Sequence, residues 1–176
     1  MADGYGCCSA ASTCCSPGAD RRSLVVDFLY LDLSVCQRCQ GAESSVDQAV
    51  QEVSGVLESA GYEIVVNKVN ISSRELAMKY HFDSSPTIRV NGVDIQLSVQ
   101  ESCCKECGEL CGDDIDCRVW VYQGVEYTEP PRAMVVDAIL KTVYRGQESE
   151  VSKHVHYQLP DNLERFFRGL EKGGEL

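Results

Sequence analysis

Apolar residues along this chain fall into blocks of two alternating periods. Ser23 to Val35, SLVVDFLYLDLSV, is an apolar and β-branched run of strand length interrupted by Asp27 and Asp32, and it predicts a buried strand. Val46, Ala49, Val50, Val53, Val56 and Leu57 then recur at steps of three and four, predicting one face of a helix to about Ala60, with Gly61 as the stop. YEIVVNKVNI predicts a second strand. SSRELAMKYHF predicts a short helix with a Ser cap and Glu75 three residues after Ser72. Strand, helix, strand, helix in that order predicts a parallel pair joined by right-handed crossovers.

The period then returns to two. Ile88 and Val90 alternate with polar neighbours, as do Val93, Ile95, Leu97 and Val99, and Asn91-Gly92 between them predicts a tight hairpin. RVWVYQGVEYTE resumes strand character around a second turn at Gln123-Gly124. Pro130 and Pro131 open a helix with Met134, Val135, Ala138, Ile139 and Val143 on its apolar side. Near the end, Asp161 can cap a short helix whose Leu163, Phe166, Phe167 and Leu170 form an apolar stripe ended by Gly173; the stripe predicts a helix docked on the domain or offered to a partner. Residues 1–22 are small and polar and predict a mobile cysteine-rich tail. The resulting plan is an α/β domain over 23–145, a mixed sheet flanked by helices, with a cysteine-rich insertion at 101–117 between strands and a tail at 146–176 carrying the short helix.

Length and charge narrow the classes of function. A chain of 176 residues is long enough for one well-cored domain. Its 16 basic against 27 acidic side chains give a net charge of −11, which argues against nucleic acid and anionic membrane surfaces as partners. No apolar run approaches the roughly 18 residues of a membrane helix, and the first residues lack the pattern of a secretory signal. A soluble, cytoplasmic protein is the expectation.

The cysteines change the picture most. There are eleven, an odd count, in a chain that can build a core without staples, so a disulfide scaffold is not the natural explanation. In a reducing compartment, grouped thiols serve metals or redox chemistry. Cys36 and Cys39 form a C-x-x-C where the first strand gives way to a helix, so free amides and the positive end of the helix dipole face Cys36 and favour its thiolate. Arg38 adds positive charge. Such a pair can act as nucleophile and resolving thiol, can grip a soft cation, or can be structurally quiet.

Cys103, Cys104, Cys107, Cys111 and Cys117 follow a C-C-x2-C-x3-C-x5-C spacing. Four thiolates from this group could close a tetrahedral zinc site or hold an iron–sulfur cluster, and Asp113, Asp114 and Asp116 favour a cation. These thiols could also form disulfides with one another or with the first pair. Cys7-Cys8 and Cys14-Cys15 are adjacent pairs suited to arsenite, mercury or copper(I). His154 and His156 suggest a surface pair.

SSPTIRVNG, residues 84 to 92, resembles the segment of thioredoxin-like proteins in which a cis proline precedes a strand and lies against the cysteine pair. With VVDF in the first strand, the element order and the closing helix, the resemblance spans residues 23 to 145. It implies an exposed nucleophile at Cys36, a resolving thiol at Cys39 and a cis proline at Pro86 that shapes a groove for an extended partner chain. The implied function is a thiol-disulfide oxidoreductase that acts on protein disulfides or thiols and needs no cofactor. LSVCQRCQGAESSVDQAVQEVSGV also resembles heavy-metal-associated domains, and the adjacent cysteines resemble those of thioredoxin-fold arsenic chaperones. Both imply a non-enzymatic binder of a soft metal or metalloid ion. An inactive thioredoxin-like interaction module is the third expectation.

Overall fold

The computed structural model describes residues 21–145 and 157–173. The elements run β1 (Arg22–Tyr30), α1 (Gln37–Ser59), β2 (Tyr62–Asn70), α2 (Arg74–Tyr80), β3 (Thr87–Val90), β4 (Val93–Asp94), β5 (Gln100–Cys103), α3 (Lys105–Cys111), β6 (Asp116–Tyr122), β7 (Val125–Tyr127), α4 (Arg132–Arg145) and α5 (Asp161–Gly173). This is a mixed α/β architecture with a four-stranded sheet, order β2-β1-β3-β4, and a second sheet, order β5-β6-β7. Among the described residues no helix is long and apolar enough to cross a membrane.

β1 is central, between β2 and β3, and over Leu24 to Phe28 one of its faces is wholly buried while Val25 and Asp27 on the other are part-exposed. Leu24, Val26, Phe28 and Leu29 are all buried, and Val26 stands opposite Val66 of parallel β2 and Val90 of antiparallel β3. α1 buries Cys39, Ala42, Val46, Ala49, Val53 and Leu57, and it packs with α4 against this sheet. Val56, expected on the buried face, is 59% exposed, because Val53 and Leu57 already fill the turn around it. Gly61 stops the helix at φ +81°, with its N–H on the Glu58 carbonyl. Both hairpins turn on residue pairs with positive φ, Asn91-Gly92 and Gln123-Gly124, the geometry that matches the twist of the flanking strands.

Three local expectations are corrected. The cap of α2 is Ser73, not Ser72: Ser73 Oγ accepts the Leu76 N–H at 3.3 Å. The alternation from Val93 to Val99 is a strand only at Val93–Asp94, and Leu97 is 81% exposed. Here side chains supply the bonds of a ladder: Gln96 accepts from Val121 N–H and donates to the Val119 carbonyl, while the Asp94 carboxylate takes the Gln96 N–H. In α5 the first helical bond runs from Glu164 N–H to the Pro160 carbonyl, so Asp161 lies in the first turn, where its charge still favours the helix.

The insertion is structured. β5 and β6 pair antiparallel and α3 bridges them, capped at its end by Gly112 at φ +71°. α5 lies across α3 and buries Leu163, Phe166 and Phe167 in the same core as Cys104, Cys107, Cys111 and Cys117. A Cβ at Gly169 would stand 2.2 Å from the Cys111 carbonyl oxygen, so the close approach of the two helices requires glycine there.

Candidate metal centre

Four sulfurs converge where α1, α3 and β6 meet. Cys36 is the N-cap of α1 and Cys104 the N-cap of α3, both with extended backbone and neither using its side chain to cap the helix. Cys107 is the third residue of α3 and Cys117 the second of β6. Their Sγ atoms all lie within 4.8 Å of one another, and all four residues are buried. Cys36 Sγ is 3.9 Å from Cys104 Sγ, and Cys117 Sγ is 3.4 Å from Cys107 Sγ.

Local folding explains the convergence. The β5–β6 register sets Ser102 opposite Cys117, and the Cys104 N–H donates to the Ile115 carbonyl at 2.8 Å, so Cys104 and Cys117 close the same end of the hairpin. One helical turn returns Cys107 to that end. Gly108 lets α3 lie against the following turn, since a Cβ there would meet the Asp113 carbonyl oxygen at 2.9 Å. Arg38 then fastens α1 to the insertion. Its guanidinium donates to the carbonyls of Ser102, Cys103 and Cys117 at 3.2, 2.7 and 3.3 Å and to Ser102 Oγ at 3.0 Å.

The four thiols perturb one another's ionisation. Hydrogen bonding from Cys104, then Cys107 and Cys117, holds the Cys36 thiol far below its ordinary range. Cys104 is lowered by Cys107 and Cys117, whereas Cys107 and Cys117 are raised, first by Cys104. The coupling thus favours thiolate at Cys36 and Cys104 and thiol at Cys107 and Cys117, and binding a cation would displace the protons that remain. Positive potential comes from Arg38 and from the unpaired amides at two helix starts. The carboxylate of Glu106, 3.5 Å from Cys104 Sγ, opposes it.

The other cysteines lie apart from this set. Cys39 is buried beside Cys36 with its Sγ 3.4 Å from Ser85 Oγ, and interaction with Cys36, followed by burial, raises its thiol. The Ser85–Pro86 bond is cis, and the Ser85 carbonyl accepts the Arg118 N–H of β6 at 2.7 Å. Cys36 is 0% exposed, which corrects the exposed nucleophile implied by the thioredoxin-like resemblance: the insertion folds over the start of α1. Cys103 and Cys111, named with the metal candidates of the insertion, do not join the four. Cys103 is exposed on β5, and Cys111, one turn beyond Cys107, faces the carbonyls of Gly108 and Asp113. Cys7, Cys8, Cys14, Cys15, His154 and His156 lie outside the described residues. Nothing in the local sequence around Ser85 and Asn162 signals their contacts with the site. Asn162 Oδ1 accepts the Asp116 N–H at 3.0 Å and its Nδ2 donates to the Asp116 carbonyl at 2.7 Å, bracing the residue before Cys117.

A family model described as Domain of unknown function (DUF2703) matches residues 24–139. The chain belongs to this family. No curated protein and no solved structure matches the chain. The DUF2703 span runs from β1 into α4 and contains all four converging thiols, whereas α5, which covers α3, lies beyond it. The arrangement could hold a metal ion, with every donor supplied by the protein.

Proposed function

We propose that this protein binds one soft divalent cation, zinc by its ligand chemistry, through Cys36, Cys104, Cys107 and Cys117, inside a thioredoxin-like domain. The observation that carries the proposal is the sulfur spacing. A tetrahedral ion with Zn–S bonds of about 2.3 Å sets its sulfurs about 3.8 Å apart, and the separations of 3.4 and 3.9 Å fall on either side of that value. An iron–sulfur cluster distributes its thiolates over separate irons, which asks for a wider frame than four sulfurs mutually within 4.8 Å.

A site with four protein ligands is closed, the arrangement of structural rather than catalytic zinc. Its ion would join α1 of the main domain to α3 and β6 of the insertion. Zinc with four thiolates carries two net negative charges, and Arg38 with the two helix starts offsets them. Reduced ligands suit a reducing compartment such as the cytoplasm. The β2-β1-β3-β4 order and the cis Ser85–Pro86 bond support the thioredoxin-like likeness.

A second reading, dithiol oxidoreductase chemistry at Cys36 and Cys39, draws support from the position of Cys39 against Ser85, next to the cis bond. The two readings part in one experiment. Protein purified without oxygen is analysed for metal and then assayed for disulfide reduction before and after chelation. The metal reading expects one zinc per chain and no reductase activity in the loaded protein. Absence of zinc, with no uptake on titration, contradicts it, and turnover by the metal-free protein alone supports the second reading.

A further inference from the structure

Cys36 belongs to two groups at once. It is one of four converging thiols and also the first cysteine of a C-x-x-C whose second member, Cys39, lies outside that set. We propose that the centre is redox-controlled: oxidation of Cys36 and Cys39 to an intramolecular disulfide removes one ligand and releases the metal. This rests on the metal-binding reading above and adds its regulation.

Geometry selects Cys39 as the partner. Among the described residues, three cysteines stand outside the four, and Cys103 faces solvent while Cys111 faces backbone carbonyls. Cys39 and Cys111 each lie one helical turn from a ligand in the same buried core, but only Cys39 stands at C-x-x-C spacing from its ligand. Cys36, as N-cap, has backbone angles of −80° and 107°, outside the helix, so its side chain can turn from the cluster toward Cys39 without unwinding α1. A C-x-x-C at a helix start closes readily into a disulfide; Cys104 and Cys107 repeat that spacing at α3, but only Cys36–Cys39 joins a ligand to a thiol outside the set, and the adjacent Cys103 and Cys104 bridge only with strain. Ser85 Oγ accepts the Leu31 N–H at 3.1 Å, which leaves its own hydroxyl proton free to point at Cys39 Sγ, 3.4 Å away. Cys36 is itself buried, so its attack requires the turn before it to open. Val35 is 42% exposed, and the Asp32 carboxylate holds that turn through the N–H groups of Ser34 and Val35.

The oxidant is a small-molecule disulfide, RSSR. The Cys36 thiolate attacks one of its sulfurs, forming a Cys36–SR bond and expelling one RS⁻. Cys39 gives its proton to solvent and attacks the Cys36 sulfur, forming the Cys36–Cys39 bond and expelling the second RS⁻. Two electrons pass from the cysteines to RSSR, and the cation is left with three thiolates. Linkage fixes the converse: a cation that binds only the dithiol form raises the midpoint potential of the pair by about 30 mV for each tenfold rise in free zinc above Kd.

The test uses the zinc-loaded full chain in glutathione disulfide buffers, with released zinc read by a chromophoric chelator and the linkage mapped by peptide mass spectrometry. Wild type is expected to release its zinc as the Cys36–Cys39 linkage forms, with affinity falling by more than about a hundredfold, beyond the 10–100-fold typical of outer-shell losses. Cys39→Ser, which can form only the reversible Cys36–SR mixed disulfide, is expected to load zinc and to release less of it at the same redox poise. Equal release from Cys39→Ser, or a linkage mapped to another pair, overturns the proposal and leaves metal binding standing. If Cys39→Ser fails to fold, wild type alone decides, because a midpoint independent of zinc also overturns it. Protein that takes up no zinc before oxidation contradicts the metal reading, and this proposal with it.

Discussion

Each of the four proposed ligands has a separate structural reason for its place, so their substitutions should behave alike while those of the neighbouring cysteines should not. Serine at Cys36, Cys104, Cys107 or Cys117 is expected to abolish stoichiometric zinc, and serine at Cys103 or Cys111 to preserve it, as read by elemental analysis of each variant. Away from the thiols, Arg118 is fully buried with its Nη1 held by both Asp94 oxygens at 2.8 and 2.9 Å, while its Nε and Nη2 have no partner. Asp94→Ala would strand that charge and should cost about 3–5 kcal/mol in urea denaturation. Tyr157 donates its hydroxyl to the Phe82 carbonyl, and burial pushes it up to about 12. A folded-state value above the unfolded one of about 10 favours the neutral phenol in the fold. Its contribution is therefore complete below about pH 10 and is lost as pH rises toward 12. Stability measured across that window should fall in wild type and lose this component in Tyr157→Phe.

At the scale of elements, α5 is the brace of the site. Asn162 holds the backbone of Asp116 from both sides, Gly169 lets the helix touch Cys111, and Arg74 binds Glu164 at 2.9 Å and also Glu171. Asn162→Ala should therefore raise the zinc Kd by about tenfold without changing stoichiometry, the scale of a lost outer-shell contact, and chelator competition measures it. Much of this level was legible in the sequence. The three- and four-residue steps of α1, the Asn91-Gly92 and Gln123-Gly124 turns and the Phe166–Phe167 stripe are local patterns with local physical causes. α3 was not legible, because seven residues with a central Gly108 and two small cysteines show no apolar period. Alternation beyond Val93 misled for the opposite reason: the pattern is present, but Gln96 and Asp94 take the bonds that a strand would need.

For the whole molecule, the metal set was half legible. Clustering of cysteines in the insertion pointed to a ligand group, and three of the four ligands come from it. The fourth, Cys36, lies 68 residues before Cys104, and only the packing of the insertion onto α1 through Arg38 brings them together. No local spacing encodes such a contact. A cation at this junction would tie the insertion to the main domain, so loading should stabilise the whole chain: at free zinc a hundredfold above Kd the gain is about 2.7 kcal/mol. A thermal scan should show a higher midpoint with zinc, reversed by a chelator.

X-ray absorption at the zinc edge of the anaerobically purified full chain tests the central claim most directly. One zinc per chain, surrounded by four sulfurs at about 2.3 Å, is the predicted result. A shell with nitrogen or oxygen in place of one or more sulfurs, or a protein that carries no zinc and takes none up, would contradict the assignment of Cys36, Cys104, Cys107 and Cys117.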